Sequence, residues 1–150
     1  MNTKTIGNIG EAKVLCKFVE LGIPVYVPFG DNEKADLIAE FNGKLNKIQV
    51  KTAINAQDGV INFNISSSHA HRTNGGRHKY TEDEVDYFAC YSVARDSIYL
   101  VPITCSATTA FKIRYEMPKN GQIKGVNFEK DYLIDNVLCV ETLHEISKEQ

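Results

Sequence analysis

The dipeptide Asn42-Gly43 constrains this chain more than any other feature of its 150 residues. Both central positions of a two-residue type I′ turn need positive φ, which asparagine and glycine tolerate best. The turn therefore predicts a β-hairpin, with residues 36–41 outgoing and 44–54 returning. Its register follows directly. With Phe41 opposite Lys44, counting back along both strands places Asp36 opposite Gln49. Lys51 projects from the same face as Gln49 because side chains alternate along a strand. One carboxylate, one amide and one ammonium are thereby gathered within cross-strand reach, where opposed Cβ atoms lie about 4.5–5.5 Å apart.

The segments around the hairpin read as follows. Ile6, Ile9, Ala12, Leu15, Phe18 and Val19 recur at three- and four-residue steps, which predicts an amphipathic helix over residues 5–21, stopped by Gly22 and Pro24. Glu11 shares a stripe with Gly7, Leu15 and Phe18, so it is expected on the core-facing side, where a carboxylate wants a cation. Strands are expected at 23–29, 60–65 and 111–115, with a second hairpin formed by 85–93 and 98–103 around the turn at 94–97. Residues 66–79 are polar and contain Asn74-Gly75-Gly76, which predicts a mobile surface loop; 118–125 also reads as loop, and 128–143 as helix or strand.

Composition narrows the functional classes. An apolar fraction of 43% with 24% charged residues is that of a soluble globular protein, and a net charge of -2 excludes coating nucleic acid by bulk charge. Any DNA contact must use a local patch. Candidates are Arg72, Arg77, His78 and Lys79 in the 69–79 segment, with Lys44 at the hairpin; Lys112, Arg114, Lys119 and Lys124 form a looser stretch, diluted by Glu116, that reads as a basic surface face. Cys16, Cys90, Cys105 and Cys139 show no C-x-x-C pair and are expected to be reduced core residues. His69, His71 and His78 lack the companions of a zinc site. No run approaches the roughly 18 apolar residues of a membrane span, and the first residues lead into no signal-peptide block, so a cytoplasmic protein without a membrane partner is expected.

Glu11 on a helix, then Asp36 in Ala35-Asp36-Leu37, then Gln49-Val50-Lys51 on the return strand resembles the motif of the PD-(D/E)XK nucleases. The later stretches Val85-Asp86-Tyr87-Phe88 and Ile98-Tyr99-Leu100-Val101-Pro102 look like the group I intron-associated homing endonucleases of the cyanobacterial type. The resemblance spans about residues 5–103. It implies an α/β, restriction-endonuclease-like core with a central mixed β-sheet flanked by helices, in a single nuclease domain over 1–150. The part beyond the catalytic core would serve DNA binding or oligomerisation. Gln49 departs from the pattern, since the family usually carries a carboxylate there; Glu11 is expected to restore the missing charge.

Phosphodiester hydrolysis explains why these residue types are wanted. Asp36, the Gln49 amide oxygen, the Val50 carbonyl and Glu11 are the expected ligands of Mg²⁺, a hard cation that takes oxygen donors, and Lys51 is expected beside the attacking water. Glu11, Asp36, Gln49 and Lys51 are thus the expected catalytic set, acting on double-stranded DNA. Cutting both strands needs two such sets, so a homo-oligomer, dimer or tetramer, is expected, with residues 85–93 and 128–143 as candidate interfaces. Two other readings share this core: a structure-selective nuclease of the Holliday-junction-resolving kind, and a non-catalytic DNA-binding module whose site has degenerated at Gln49.

Overall fold

The computed structural model describes residues 1–68, 77–105 and 109–138. Helix α1 (Thr3–Glu20) begins at Asn2, whose side chain accepts from the Thr5 N–H at 2.8 Å and so satisfies a backbone donor that the helix leaves unpaired. It ends as expected. Gly22 adopts φ 71°, its N–H donates to the Val19 carbonyl at 3.0 Å, and the Ile23 N–H donates to the Phe18 carbonyl at 2.9 Å. These two bonds complete a Schellman cap.

The strands are β1 (Val25–Tyr26), β2 (Leu37–Phe41), β3 (Lys44–Ala53), β4 (Ala56–Gln57), β5 (Val60–Asn64), β6 (Ser67–Ser68), β7 (Arg77–His78), β8 (Tyr87–Ser92), β9 (Ser97–Pro102) and β10 (Ala110–Arg114); a short α2 (Glu129–Tyr132) follows. A five-stranded sheet has the order β1-β2-β3-β8-β9, with β3 and β8 parallel and every other pair antiparallel, so the expected mixed sheet is present. A second sheet has the order β10-β5-β4, and β6 pairs with β7.

The β2–β3 hairpin has the predicted register, Phe41 opposite Lys44 through Leu37 opposite Ile48, with Asn42 and Gly43 at φ 56° and 64°. Buried Asn46 pins it from within, its Nδ2 lying 3.0–3.3 Å from the carbonyls of Ala39, Phe41 and Lys44. The second expected hairpin is β8–β9.

The five-stranded sheet is the middle of three layers. One face packs Leu37, Ala39, Ile48, Val50, Ala89 and Leu100 against Val14 and Phe18 of α1. The other packs Phe88, Cys90, Tyr99 and Val101 against Ile61, Phe63, Phe111 and Ile113 of the second sheet. Among the described residues no helix is long and apolar enough to cross a membrane.

Several expectations are corrected. Residues 23–29 pair only at Val25–Tyr26, because Pro24 and Pro28 offer no N–H to a ladder; Phe29 is fully exposed. A tight turn at Asp58 and Gly59, both at positive φ, makes an unforeseen hairpin of β4 and β5. The ends of the 66–79 segment pair as β6 and β7, while residues 69–76, the centre of the expected mobile loop, lie outside the described residues. Residues 128–143 are helical at Glu129–Tyr132 and 134–138 as far as they are described. Val85, Phe88, Ala89, Cys90 and Tyr91 are core, as are Ile134 and Leu138, whereas Val93 is exposed. Cys90 is buried, but Cys16 and Cys105 are exposed thiols, and Cys139 lies outside the described residues.

The buried line of α1 is Gly10, Val14 and Phe18, with Ala12 and Val19 exposed. Gly10 sets how closely the helix approaches β3. A Cβ at that position would fall well inside contact distance of Thr52 Oγ1, a buried hydroxyl with no hydrogen-bond partner. Gly10→Ala is therefore expected to destabilise the fold by about 1–3 kcal/mol through overpacking. Adding Thr52→Ala should recover part of that loss. Urea denaturation of both variants checks it; Gly10→Ala at wild-type stability would contradict the close packing.

Candidate active site

Strand β3 outruns its antiparallel neighbour. The β2 ladder ends at Leu37 opposite Ile48 whereas β3 continues to Ala53, so from Gln49 onward one edge of β3 has no strand beside it among the described residues. Asp36 sits at that step. Its N–H still reaches the Ile48 carbonyl at 2.9 Å, and its carboxylate then stands in for the missing strand. Oδ2 accepts from the Val50 N–H at 2.8 Å and from Gln49 Nε2 at 2.7 Å. Within a strand the N–H and C=O of one residue point to the same side, so the Val50 carbonyl faces this open edge as well.

Lys51 is in register with Cys90 of β8 and rises from the face turned toward the second sheet. Its Nζ donates to the Ser66 carbonyl at 3.1 Å, lies 3.5 Å from the Tyr80 hydroxyl, and sits 4.9 Å above the Tyr80 ring. A compact ammonium is thus held at one place by a carbonyl and an aromatic face.

The charges are strained by burial. Desolvation raises the Asp36 carboxyl above its ordinary range, against the Val50 N–H and the Lys51 charge, which pull it down. Burial lowers the Lys51 ammonium, against the Asp36 charge, which raises it. Glu11 is raised as well, first by partial burial and then by the Asp36 charge. Its placement differs from expectation. Gly10, Val14 and Phe18 take the core-facing line, which leaves Glu11 on the flank of that line as an exposed residue. It still feels Asp36 and pairs with no cation among the described residues.

The donor set fits a hard divalent cation. Two carboxylates, of which Asp36 raises the proton affinity of Glu11, an amide and a backbone carbonyl are all oxygen donors. Among the described residues no three or more His, Cys, Asp and Glu side chains cluster as a metal site, in keeping with an amide where a third acid could stand.

The expected DNA contacts are dispersed. Arg72 lies outside the described residues; Arg77 and His78 form β7, and Lys79 is exposed beside it. Lys44 is at the far end of β3, roughly 20 Å from Lys51, and pairs with Asp86 at 3.2 Å, so it is not brought to the cluster. Sequence reasoning missed Tyr80 and Ser66. Their signal was faint: an aromatic residue and a strand end bracketing a polar segment.

Comparison with known proteins bears on the family and the fold. The PD-(D/E)XK endonuclease family matches residues 1–135. Protein 5.3 of Escherichia phage T7 is 34% identical over 84 residues, which are 55% of this chain and 67% of the phage protein. A solved bacterial homing endonuclease, I-Ssp6803I, superposes with a TM-score of 0.76 at 21% identity, covering 100% of both chains. That likeness establishes the restriction-endonuclease-like fold.

Because burial raises the folded-state carboxyl of Asp36, the folded chain holds that proton more tightly than the unfolded chain. The stability it contributes is present below the unfolded value and is lost as pH rises through the folded one. An asparagine keeps the acceptor oxygen without the charge. Without divalent cations, Asp36→Asn is therefore expected to melt higher than wild type at pH 8, with the gap closing as pH falls through the raised carboxyl range. Thermal melts from pH 4 to 8 check this, and a lower melting temperature for the variant at pH 8 would contradict it.

Proposed function

This chain belongs to the PD-(D/E)XK endonuclease family, and on that footing we propose that it is a magnesium-dependent, site-specific endonuclease of the homing type that cuts both strands of a DNA duplex. The observation that carries the reading is the Asp36 carboxylate, bonded to Gln49 and Val50 at the open edge of β3, with the Lys51 ammonium fixed beside it. The homing assignment draws on the sequence resemblance, supported by a full-length likeness in fold to a protein described as a bacterial homing endonuclease.

Asp36, the Gln49 amide oxygen and the Val50 carbonyl would hold the cation, and Glu11 would supply the charge that Gln49 does not. A bound Mg²⁺ supplies charge neutralisation at the scissile phosphate and acidifies the attacking water. Lys51 orients that water and stabilises the negative charge that develops on the phosphate. Its contacts with Ser66 and Tyr80 keep the ammonium from collapsing onto Asp36. The partial burial that perturbs Asp36 and Lys51 also removes competing solvent, which strengthens each electrostatic contact.

Asp36→Ala and Lys51→Ala are each expected to abolish cleavage of mixed duplex DNA in Mg²⁺ while leaving duplex binding in place. Glu11→Gln should retain activity but shift the Mg²⁺ titration to higher concentration. Either alanine variant cutting near the wild-type rate would overturn the site, and a four-way junction cut in preference to linear duplex would favour the junction-resolving reading.

Two strands of opposite polarity require two sets of Asp36, Gln49 and Lys51, and each chain carries one. The active species is therefore a homo-oligomer, with a two-fold pair as the minimum and a tetramer suggested by the resemblance. Sedimentation at micromolar concentration, with and without DNA, is expected to show a dimer or larger. A monomer in both conditions that still makes double-strand breaks would overturn this.

A further inference from the structure

A groove lies beyond the catalytic cluster, over the outer face of the second sheet. It measures about 850 Å³ and runs from Thr52–Asn55 at the end of β3, across β4, β5 and β10, to residues 125–127. The pleat decides what fills it. Ile61 and Phe63 of β5 and Phe111 and Ile113 of β10 point into the core, so Asn62 and Lys112, which face each other in register, point outward. The next row along the ribbon is Gln57, Val60 and Arg114, one residue from each strand.

These side chains are unengaged. Gln57, Asn62, Lys112 and Arg114 make no side-chain hydrogen bond or ion pair among the described residues, whereas the neighbouring Asn127 is already spent on the Lys112 carbonyl and the Tyr132 hydroxyl. Two cations therefore stand free beside two amides on rigid strands. Asp58, in the β4–β5 turn, is the carboxylate among the lining residues, and the two cations outnumber it.

Resting on the endonuclease reading above, we propose that this outer face of β5 and β10 is where the enzyme reads the base sequence of its DNA duplex. The chemistry matches base edges more closely than bare phosphate. Amides pair in two places with adenine N6 and N7, a guanidinium pairs likewise with guanine O6 and N7, and a β-ribbon fits the major groove. Amides and cations both also contact phosphates, but only their two-point match to base edges carries sequence information. Lys112, a single point charge, is assigned to a phosphate.

The placement along β5 gives the spacing. Lys51 is anchored on the Ser66 carbonyl just past the end of β5. Asn62 lies four residues before Ser66, roughly 13 Å along an extended chain, and the Val60–Arg114 row roughly 20 Å. At about 3.4 Å per base pair, the bases read lie roughly four to six pairs from the scissile phosphate.

The test is selection from a randomised duplex pool, using the Asp36→Asn chain to prevent cutting, with Gln57→Ala, Asn62→Ala, Lys112→Ala or Arg114→Ala added in turn. The parent should enrich one motif. Arg114→Ala, Asn62→Ala and Gln57→Ala should each relax preference at one or two positions by roughly 5- to 150-fold, and Lys112→Ala should weaken binding to all sequences while reducing the salt slope by about 1. Wild-type cleavage mapped on the enriched duplex should fall roughly four to six pairs from the relaxed positions. If all four variants enrich the parental motif, or if all four weaken every sequence equally, this inference fails while the endonuclease reading stands. If the wild-type chain neither binds nor cuts any duplex, both fail.

Discussion

The structure depends on one hydrogen bond that is out of place for a sheet, the Val50 N–H donated to the Asp36 carboxylate. A β-strand whose neighbour stops leaves backbone groups that must find other partners, and here the partner is the side chain of the residue just before β2. The consequence is chemical as well as structural. A carboxylate drawn to cap a sheet edge is buried there, and the Val50 carbonyl beside it is left facing outward. The same step in strand length creates the acid, its perturbation and the adjoining oxygen donor.

Burial then works differently on each group. Asp36 and Lys51 are pushed toward their neutral forms, and each is held back by the charge of the other. The two remain separate because the Lys51 ammonium is anchored on the Ser66 carbonyl and the Tyr80 ring. Gln49 donates to Asp36 through Nε2, so it relieves part of the burial without neutralising any charge. A third carboxylate at position 49 would add a like charge beside Asp36; the amide lowers that repulsion and leaves Glu11, on the exposed flank of α1, as the second acid.

What could be read from the sequence was whatever obeys a local rule. The Asn42-Gly43 turn sets the hairpin, the hairpin sets the register, and the register brings Asp36, Gln49 and Lys51 together. The Gly22 stop and the β8–β9 pairing were equally local. The remainder depends on packing between distant segments. Gly10 was passed over because glycine does not count as apolar, yet it rotates the buried face of α1 and so moves Glu11 outward. Tyr80 reaches Lys51 only because the chain returns after β7. The second sheet stayed hidden because Asp58-Gly59 is too close to the end of β3 to stand out as a separate turn. Cys16 and Cys105 resembled core residues because the apolar runs around them are only partly buried.

The proposed division of work between the two sheets follows from how the core covers them. The five-stranded sheet is covered on both faces, so its polar side chains can gather only at an unpaired edge, where β3 passes beyond β2. The second sheet is covered on one face alone. Its strands therefore alternate, with Ile61, Phe63, Phe111 and Ile113 inward and Asn62 and Lys112 outward, as half-buried antiparallel strands do. A buried edge favours a few perturbed groups held in fixed geometry, which suits catalysis. An open, regularly spaced face favours many weaker contacts, which suits recognition. Strand β5 connects them, with its outward side chains on the open face and its C-terminal end leading to the Ser66 carbonyl that holds Lys51.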